Sequence, residues 1–274
     1  MGRIGEDYVF ASETCALDTV GAEFVRDVKP GEIITLHHGQ FSSDERFCTD
    51  KTASCIFEHI YFARPDSVID GQSVNESRVL TGQLLAQQHP VDADLVIGVP
   101  DSGLSSAIGY SMESGIPFGL GLVKNRYIGR TFIQPSQSQR ERSVALKLNV
   151  LKSNVNGKRI IMVDDSIVRG TTIANIVKLL KKAGALEVHV RIASPKFLFP
   201  CFFGTDVPDS DQLACCKYTD EQLLEKISAD SLGFLDVNTL EQIAPNSKVH
   251  FCKGCFTGVY PSRPPERAKK NIFE

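Results

Sequence analysis

Asp164 and Asp165 stand together at the end of the apolar run Arg159-Ile160-Ile161-Met162-Val163, and Ser166-Ile167-Val168-Arg169-Gly170-Thr171-Thr172 follows them. Two adjacent carboxylates can accept hydrogen bonds from the hydroxyls of a ribose. A short loop of small and hydroxyl residues leading into a helix can hold a phosphate, because the first backbone N–H groups of a helix point outward with no partner of their own. The order acid pair, phosphate-sized loop and helix start therefore suits a sugar phosphate. Two adjacent aspartates alone would read as a solvated pair after a strand, so the argument rests on the whole ordered segment.

That chemistry needs a strand before the carboxylates and a helix after the loop. Arg159–Val163 reads as a buried strand, and Thr172–Ala183 as an amphipathic helix. A second strand and turn occur earlier: Leu95-Val96-Ile97-Gly98-Val99-Pro100 runs into Pro100-Asp101-Ser102-Gly103, and a helix is expected over residues 104–114. Further helices are expected at 74–88, 219–227 and 239–243, and strands at 117–123 and 187–193. Alternation of strands and helices argues for an α/β fold with a mostly parallel sheet. Ligands of such sheets sit beyond the carboxyl ends of the strands, so the two turns could face one crevice. Between them, residues 124–147 form a long polar stretch containing Arg126, Arg130, Arg140 and Arg142.

Residues 1–38 have a different character. Tyr8-Val9-Phe10-Ala11 and Glu32-Ile33-Ile34-Thr35-Leu36 are β-like, with Pro30-Gly31 as a turn between them. The segment is short for a core of its own and reads as the tail of something larger. Residues 39–54 are polar and read as a linker or crossing loop, and residues 262–274 as a frayed tail.

The 274 residues suffice for one large domain or a domain with an appendage, with 42% hydrophobic and 23% charged residues. A net charge of −3 gives no electrostatic footprint for nucleic acid. No apolar stretch reaches membrane-spanning length, and the start lacks the apolar centre of a signal peptide. A cytoplasmic location is expected. Eight cysteines in such a chain call for burial, metal ligation or nucleophilic chemistry rather than disulfides. Cys252-x-x-Cys255 can bring two thiolates to one metal centre.

With both turns in view, the chain resembles the amidophosphoribosyltransferase family, and specifically its phosphoribosyltransferase part. The resemblance is carried by Ser12-Glu13-Thr14-Cys15-Ala16-Leu17, Cys55-Ile56-Phe57-Glu58 and Tyr61-Phe62-Ala63-Arg64-Pro65-Asp66-Ser67. It continues through Val99-Pro100-Asp101-Ser102-Gly103, Lys124-Asn125-Arg126-Tyr127-Ile128-Gly129-Arg130-Thr131-Phe132 and the Asp164-Asp165 segment. It closes with Cys252-Lys253-Gly254-Cys255-Phe256-Thr257-Gly258-Val259-Tyr260-Pro261. The resemblance implies a type I phosphoribosyltransferase fold, a mostly parallel sheet flanked by helices, over residues 39–261. Residues 1–38 would be the β remnant of a glutaminase domain. It also implies the first step of purine biosynthesis: ammonia displaces pyrophosphate from C1 of phosphoribosyl pyrophosphate (PRPP) to give 5-phosphoribosylamine.

By the same resemblance, Ser166, Ile167, Val168, Arg169, Gly170, Thr171 and Thr172 wrap the 5′-phosphate, with Gly170 letting backbone approach closely. Asp164 and Asp165 steer the ribose hydroxyls and, with Ser102, surround Mg²⁺. Lys124, Arg126, Arg130 and Lys147 belong to the family's catalytic loop and its flanks. Ala145 stands where many relatives carry a basic residue. Cys55, Cys201, Cys252 and Cys255 would ligate a 4Fe–4S cluster of structural or oxygen-sensing role, with zinc as the chemical alternative. Cys48, Cys215 and Cys216 are off that pattern.

One departure stands out. The family's glutaminase nucleophile is an N-terminal cysteine, whereas this sequence opens Met1-Gly2-Arg3. Cys15, in or beside one of the early strands, is a poor candidate. The expectation is an ammonia-dependent enzyme with glutamine use lost, served by a separate glutaminase, and forming a homo-oligomer as its relatives do. A catalytically inactive PRPP-binding regulator and an inert fragment are the alternatives.

Overall fold

The computed structural model describes residues 1–125, 148–205, 207 and 209–264. Arg126, Arg130, Ala145 and Lys147 lie outside the described residues, as do residues 265–274 of the expected tail. The chain divides into two compact units, one of residues 1–77 with 244–252, the other of residues 78–243 with 253–274.

The first unit is built from short strands. Gly2–Ile4 pairs antiparallel with both Asp7–Val9 and Glu23–Phe24. Cys15 proves to lie on a helix, Thr14–Thr19, not in or beside a strand, and its side chain is buried. Residues 39–54 read in sequence as a linker or crossing loop, yet Gln40–Asp44 pairs antiparallel with Ile33–His37. The turn between them is His38-Gly39, with φ of 47° and 74°. Two positive φ values are what a tight hairpin turn demands. The polar composition misled because this hairpin is exposed on most of both faces, so alternation carried no signal. Phe251-Cys252 pairs in parallel with Ser54-Cys55.

The second unit holds the parallel sheet. In chain order its main elements are α1 (Val74–Gln88), β1 (Leu95–Gly98), α2 (Gly103–Ser114), β2 (Leu122–Lys124), β3 (Leu148–Val150), β4 (Arg159–Asp164), α3 (Thr171–Lys182), β5 (Glu187–Ile192), α4 (Asp220–Ile227) and β6 (Ser231–Phe234). The sheet order is β6-β5-β4-β1, parallel throughout. The four residues of β1 are all buried, as are the last five of β4 and of β5, which explains the near-continuous apolar runs of β1 and β4, while β5 alternates Val188, Val190 and Ile192 with buried His189 and Arg191.

One face packs α3 and α4 against Ile160, Met162, Val188, Val190 and Ile192. Helix α3 contributes Ile173, Ile176, Val177 and Leu180, all buried. Their spacing puts them on one stripe, and each burial is worth ~1.5–3 kcal/mol.

The strand expected at 117–123 survives only as β2, which pairs antiparallel with β3 instead of joining the sheet. Phe118 makes a single bridge to Val96. Pro117 has no N–H to donate, and Gly119 and Gly121 interrupt the side-chain pattern. Among the described residues, no helix is long and apolar enough to cross a membrane.

Candidate active site

The register of β1 against β4 brings the two turns together. Gly98 is opposite Val163, and the Val99 N–H donates to the Val163 carbonyl at 2.9 Å. Beyond that point β1 opens into Pro100-Asp101-Ser102 and β4 ends in Asp164-Asp165. Gly103 lets α2 start close against β4, since a Cβ there would lie 2.5 Å from the Val163 carbonyl oxygen.

Both carboxylates are buried, with 7% exposure for Asp164 and 9% for Asp165. Ser102 donates its hydroxyl to Oδ2 of Asp165, and Ser166 donates to Oδ1 at 2.5 Å. The backbone N–H of Asp165 donates to Oδ1 of Asp164 at 2.9 Å. Burial, then the neighbouring charge of Asp165, pushes the Asp164 carboxyl well above the usual range. Burial also raises Asp165, but the hydroxyls of Ser102 and Ser166 and the positive charge of Arg78 hold that rise back. The pair is therefore asymmetric: Asp164 takes up a proton more readily, and Asp165 is held toward its anion.

The loop after the pair splits into distinct roles. Ile167 is 2% exposed and belongs to the core beneath the loop. The Val168 carbonyl accepts the Ala214 N–H at 2.8 Å. Arg169 reaches outward and donates to Gln212 Oε1 at 2.9 Å. Gly170 caps α3 with φ of 78°. A Cβ there would meet nothing nearer than 3.6 Å, so glycine is required by the left-handed backbone and not by a close approach. No side chain caps α3, and Thr171 and Thr172 are exposed at its first turn. An uncapped helix start flanked by hydroxyls is suited to an anion.

Lys124 ends β2 and forms an ion pair with Asp101 at 2.7 Å. Thus Ser102, Asp164, Asp165 and Ser166 are joined directly, Thr171 and Thr172 open the helix that follows, and Lys124 is tied to the residue beside Ser102. Sequence reasoning missed Arg78 and the Asp101 carboxylate. Arg78 is 3% exposed and lies on the buried stripe of α1 with Ser77, Thr81 and Leu85. An arginine at helical spacing among small buried residues was the available signal. Helix α1 meets α2 at close range: a Cβ on Gly82 would lie 1.9 Å from the Ser106 carbonyl oxygen.

Of the four cysteines that the resemblance assigns to a cluster, two lie in each unit. Cys55 and Cys252 are register partners in the first unit. In the second, the Cys255 carbonyl accepts the N–H groups of Leu198 and Phe199, each at 3.1 Å, which are near Cys201 in sequence. Burial acts to raise the Cys201 thiol, but N–H groups of Gly204, Phe203 and Thr205 and the Thr205 hydroxyl outweigh it and lower its pKa. Among the described residues, no three His, Cys, Asp or Glu side chains gather as a metal site.

Comparison with known proteins gives a consistent picture. The phosphoribosyl transferase domain family matches residues 71–194. An amidophosphoribosyltransferase of Archaeoglobus fulgidus is 48% identical over 263 residues, covering 95% of this chain and 58% of the relative. That of Bacillus subtilis is 49% identical over 267 residues, covering 96% and 56%. Two solved structures superpose closely. One, described as the allosteric regulatory enzyme of purine biosynthesis, has a TM-score of 0.88 at 47% identity, covering 97% of this chain and 58% of the other. The other, a glutamine PRPP amidotransferase from B. subtilis complexed with ADP and GMP, has a TM-score of 0.87 at 48% identity, with 97% and 59% covered. The chain thus spans somewhat over half the length of the relatives it matches.

Proposed function

The chain belongs to the amidophosphoribosyltransferase family as its phosphoribosyltransferase part, and from that premise we propose that it transfers ammonia to C1 of PRPP, releasing pyrophosphate and forming 5-phosphoribosylamine. The observation that carries the reading is the Ser102–Asp165 bond, which fixes the turns at two adjacent strand ends as one site. The uncapped start of α3, with Ser166, Thr171 and Thr172, takes the 5′-phosphate. Asp164 and Asp165 accept the ribose hydroxyls. Lys124 lies on the leaving-group side, where its charge favours the departing pyrophosphate. Arg126, Arg130 and Lys147 are proposed to add further cations there. Such a site works by positioning and charge stabilisation, with water kept from competing with ammonia.

The buried Asp pair also fits Mg²⁺, which needs only one or two protein carboxylates beside substrate phosphates. Asp164 and Asp165 would hold it, with the Ser102 hydroxyl alongside, and its charge would neutralise the leaving pyrophosphate. Cys55, Cys201, Cys252 and Cys255 are proposed to hold a 4Fe–4S cluster. The support is the donor type, the side-by-side register of Cys55 and Cys252, and the N–H groups that favour a Cys201 thiolate. Iron and acid-labile sulfide in anaerobically purified protein, lost in Cys252→Ser, would support it, and stoichiometric zinc would replace it. Residues 1–38 are proposed to correspond to the closing strands of a glutaminase domain, and the protein to act in the cytoplasm as a homo-oligomer.

The deciding experiment measures pyrophosphate release from PRPP and Mg²⁺ with ammonium, with glutamine and with neither. Release with ammonium establishes the transferase. Release with glutamine shows that the chain draws ammonia from it. No release from soluble protein that still binds PRPP would replace the enzyme with a PRPP-binding regulator.

A further inference from the structure

Lys124 ends β2, and its ammonium donates to Oδ2 of Asp101 at 2.7 Å. Asp101 lies in the turn between β1 and α2, next to Ser102, whose hydroxyl holds Asp165. Both partners are on the surface, with 53% of the Lys124 side chain and 72% of the Asp101 side chain exposed. Among the described residues, the Asp101 carboxylate has no other hydrogen-bond partner. An exposed pair of this kind adds little to the stability of a fold. What the pair does achieve is local: it occupies the ammonium proposed to meet the substrate's diphosphate.

One ammonium has three donors, and a carboxylate 2.7 Å away engages it along one direction. A diphosphate carries more charge than one carboxylate and offers more oxygens, so it can displace the carboxylate. Once displaced, Asp101 remains one residue from Ser102 and repels the bound anion. We infer that Asp101 is an internal competitor for the diphosphate: it holds Lys124 when no diphosphate is bound, yields it on binding and reclaims it as pyrophosphate leaves. Asp101 acts through Lys124 and is a positioning residue. The inference rests on the reading of Lys124 as a diphosphate ligand.

The test is binding of inorganic pyrophosphate with Mg²⁺ to the full chain by titration calorimetry, which needs no turnover. Asp101→Asn should bind pyrophosphate about two- to fivefold more tightly than the unaltered chain, the scale of an exposed ion pair. Asp101→Glu, which keeps the charge, should stay close to the unaltered chain. The gain should shrink as salt is raised, because the competition is between exposed charges. Where ammonium supports turnover, Asp101→Asn should also lower KM for PRPP without raising kcat. Unchanged or weaker pyrophosphate binding in Asp101→Asn would overturn the inference, and weaker binding would instead make Asp101 a ligand of the metal–diphosphate. Tighter binding in a chain that does not turn over would uphold the competition while removing the proposed transferase.

Discussion

Ser102 donates its hydroxyl to Asp165, 63 residues further along the chain, and so ties the turn after β1 to the turn after β4. Without that donor, Asp165 keeps the Ser166 hydroxyl, its hydrogen bond with Asp164 and the nearby charge of Arg78. Ser102→Ala is therefore expected to cost about 1.5–3 kcal/mol at neutral pH, the range for a hydrogen bond to a charged group. It should also push the Asp165 carboxyl further up, moving the acid limb of the rate–pH profile to higher pH. Urea denaturation and initial rates across pH check both, and an acid limb that stays in place would refute the role given to this bond.

Asp164 has a folded-state pKa raised well above 3.8 by burial and by Asp165. A group with a raised folded pKa binds more protons folded than unfolded. Its contribution is fully present below about pH 3.8, its unfolded value, and is lost as pH rises through the folded value. Asp164→Asn removes that loss. The variant should melt at a higher temperature than the unaltered chain at pH 7, with the difference closing toward pH 3.8, while transfer activity falls. Thermal melts at a series of pH values give the sign directly.

Gly170 has φ of 78° at the start of α3. Alanine there meets no steric clash, so the cost is that of a left-handed alanine, about 1–2 kcal/mol. Gly170→Ala should lower the urea midpoint by a matching amount and weaken PRPP binding, because relief of the strain would turn the first N–H groups of α3. Unaltered PRPP affinity would separate the phosphate from this helix start.

Thr219 caps α4 in a reciprocal arrangement, its side chain accepting the Gln222 N–H while the Gln222 side chain accepts the Thr219 N–H. Thr219→Ala should cost about 1 kcal/mol of stability. Helix α4 packs behind α3 and carries none of the site residues, so KM and kcat should stay within twofold. This variant sets how much destabilisation alone changes turnover.

Strands β1, β4 and β5, helices α1 to α4 and the acid pair of the second unit were legible because local order alone defines them, whereas β3 and β6, three and four residues long, were not. A wholly apolar run marks a strand buried on both faces, and a 3.6-residue stripe marks α3. The capping pair Thr219 and Gln222 lies within one turn. The hairpin of Ile33–His37 with Gln40–Asp44 was not legible, since an exposed ribbon leaves no hydrophobic alternation to read. Cys15 was misplaced for a related reason: six residues are too few for helical periodicity to show.

The sequence by itself determined which chemistry was available: two carboxylates, a hydroxyl-rich loop before a helix, and cations in the stretch that follows β2. Tertiary structure alone decided how those groups differ. Parallel pairing of β1 with β4 brought Ser102 to Asp165 and left Asp164 to the effects of burial. Packing of α1 against α2 put the Arg78 charge within range of Asp165. The antiparallel pairing of β2 with β3 set Lys124 against Asp101. Each of these pairings joins residues far apart in the chain, and their energies depend on distance and burial, which no local pattern encodes.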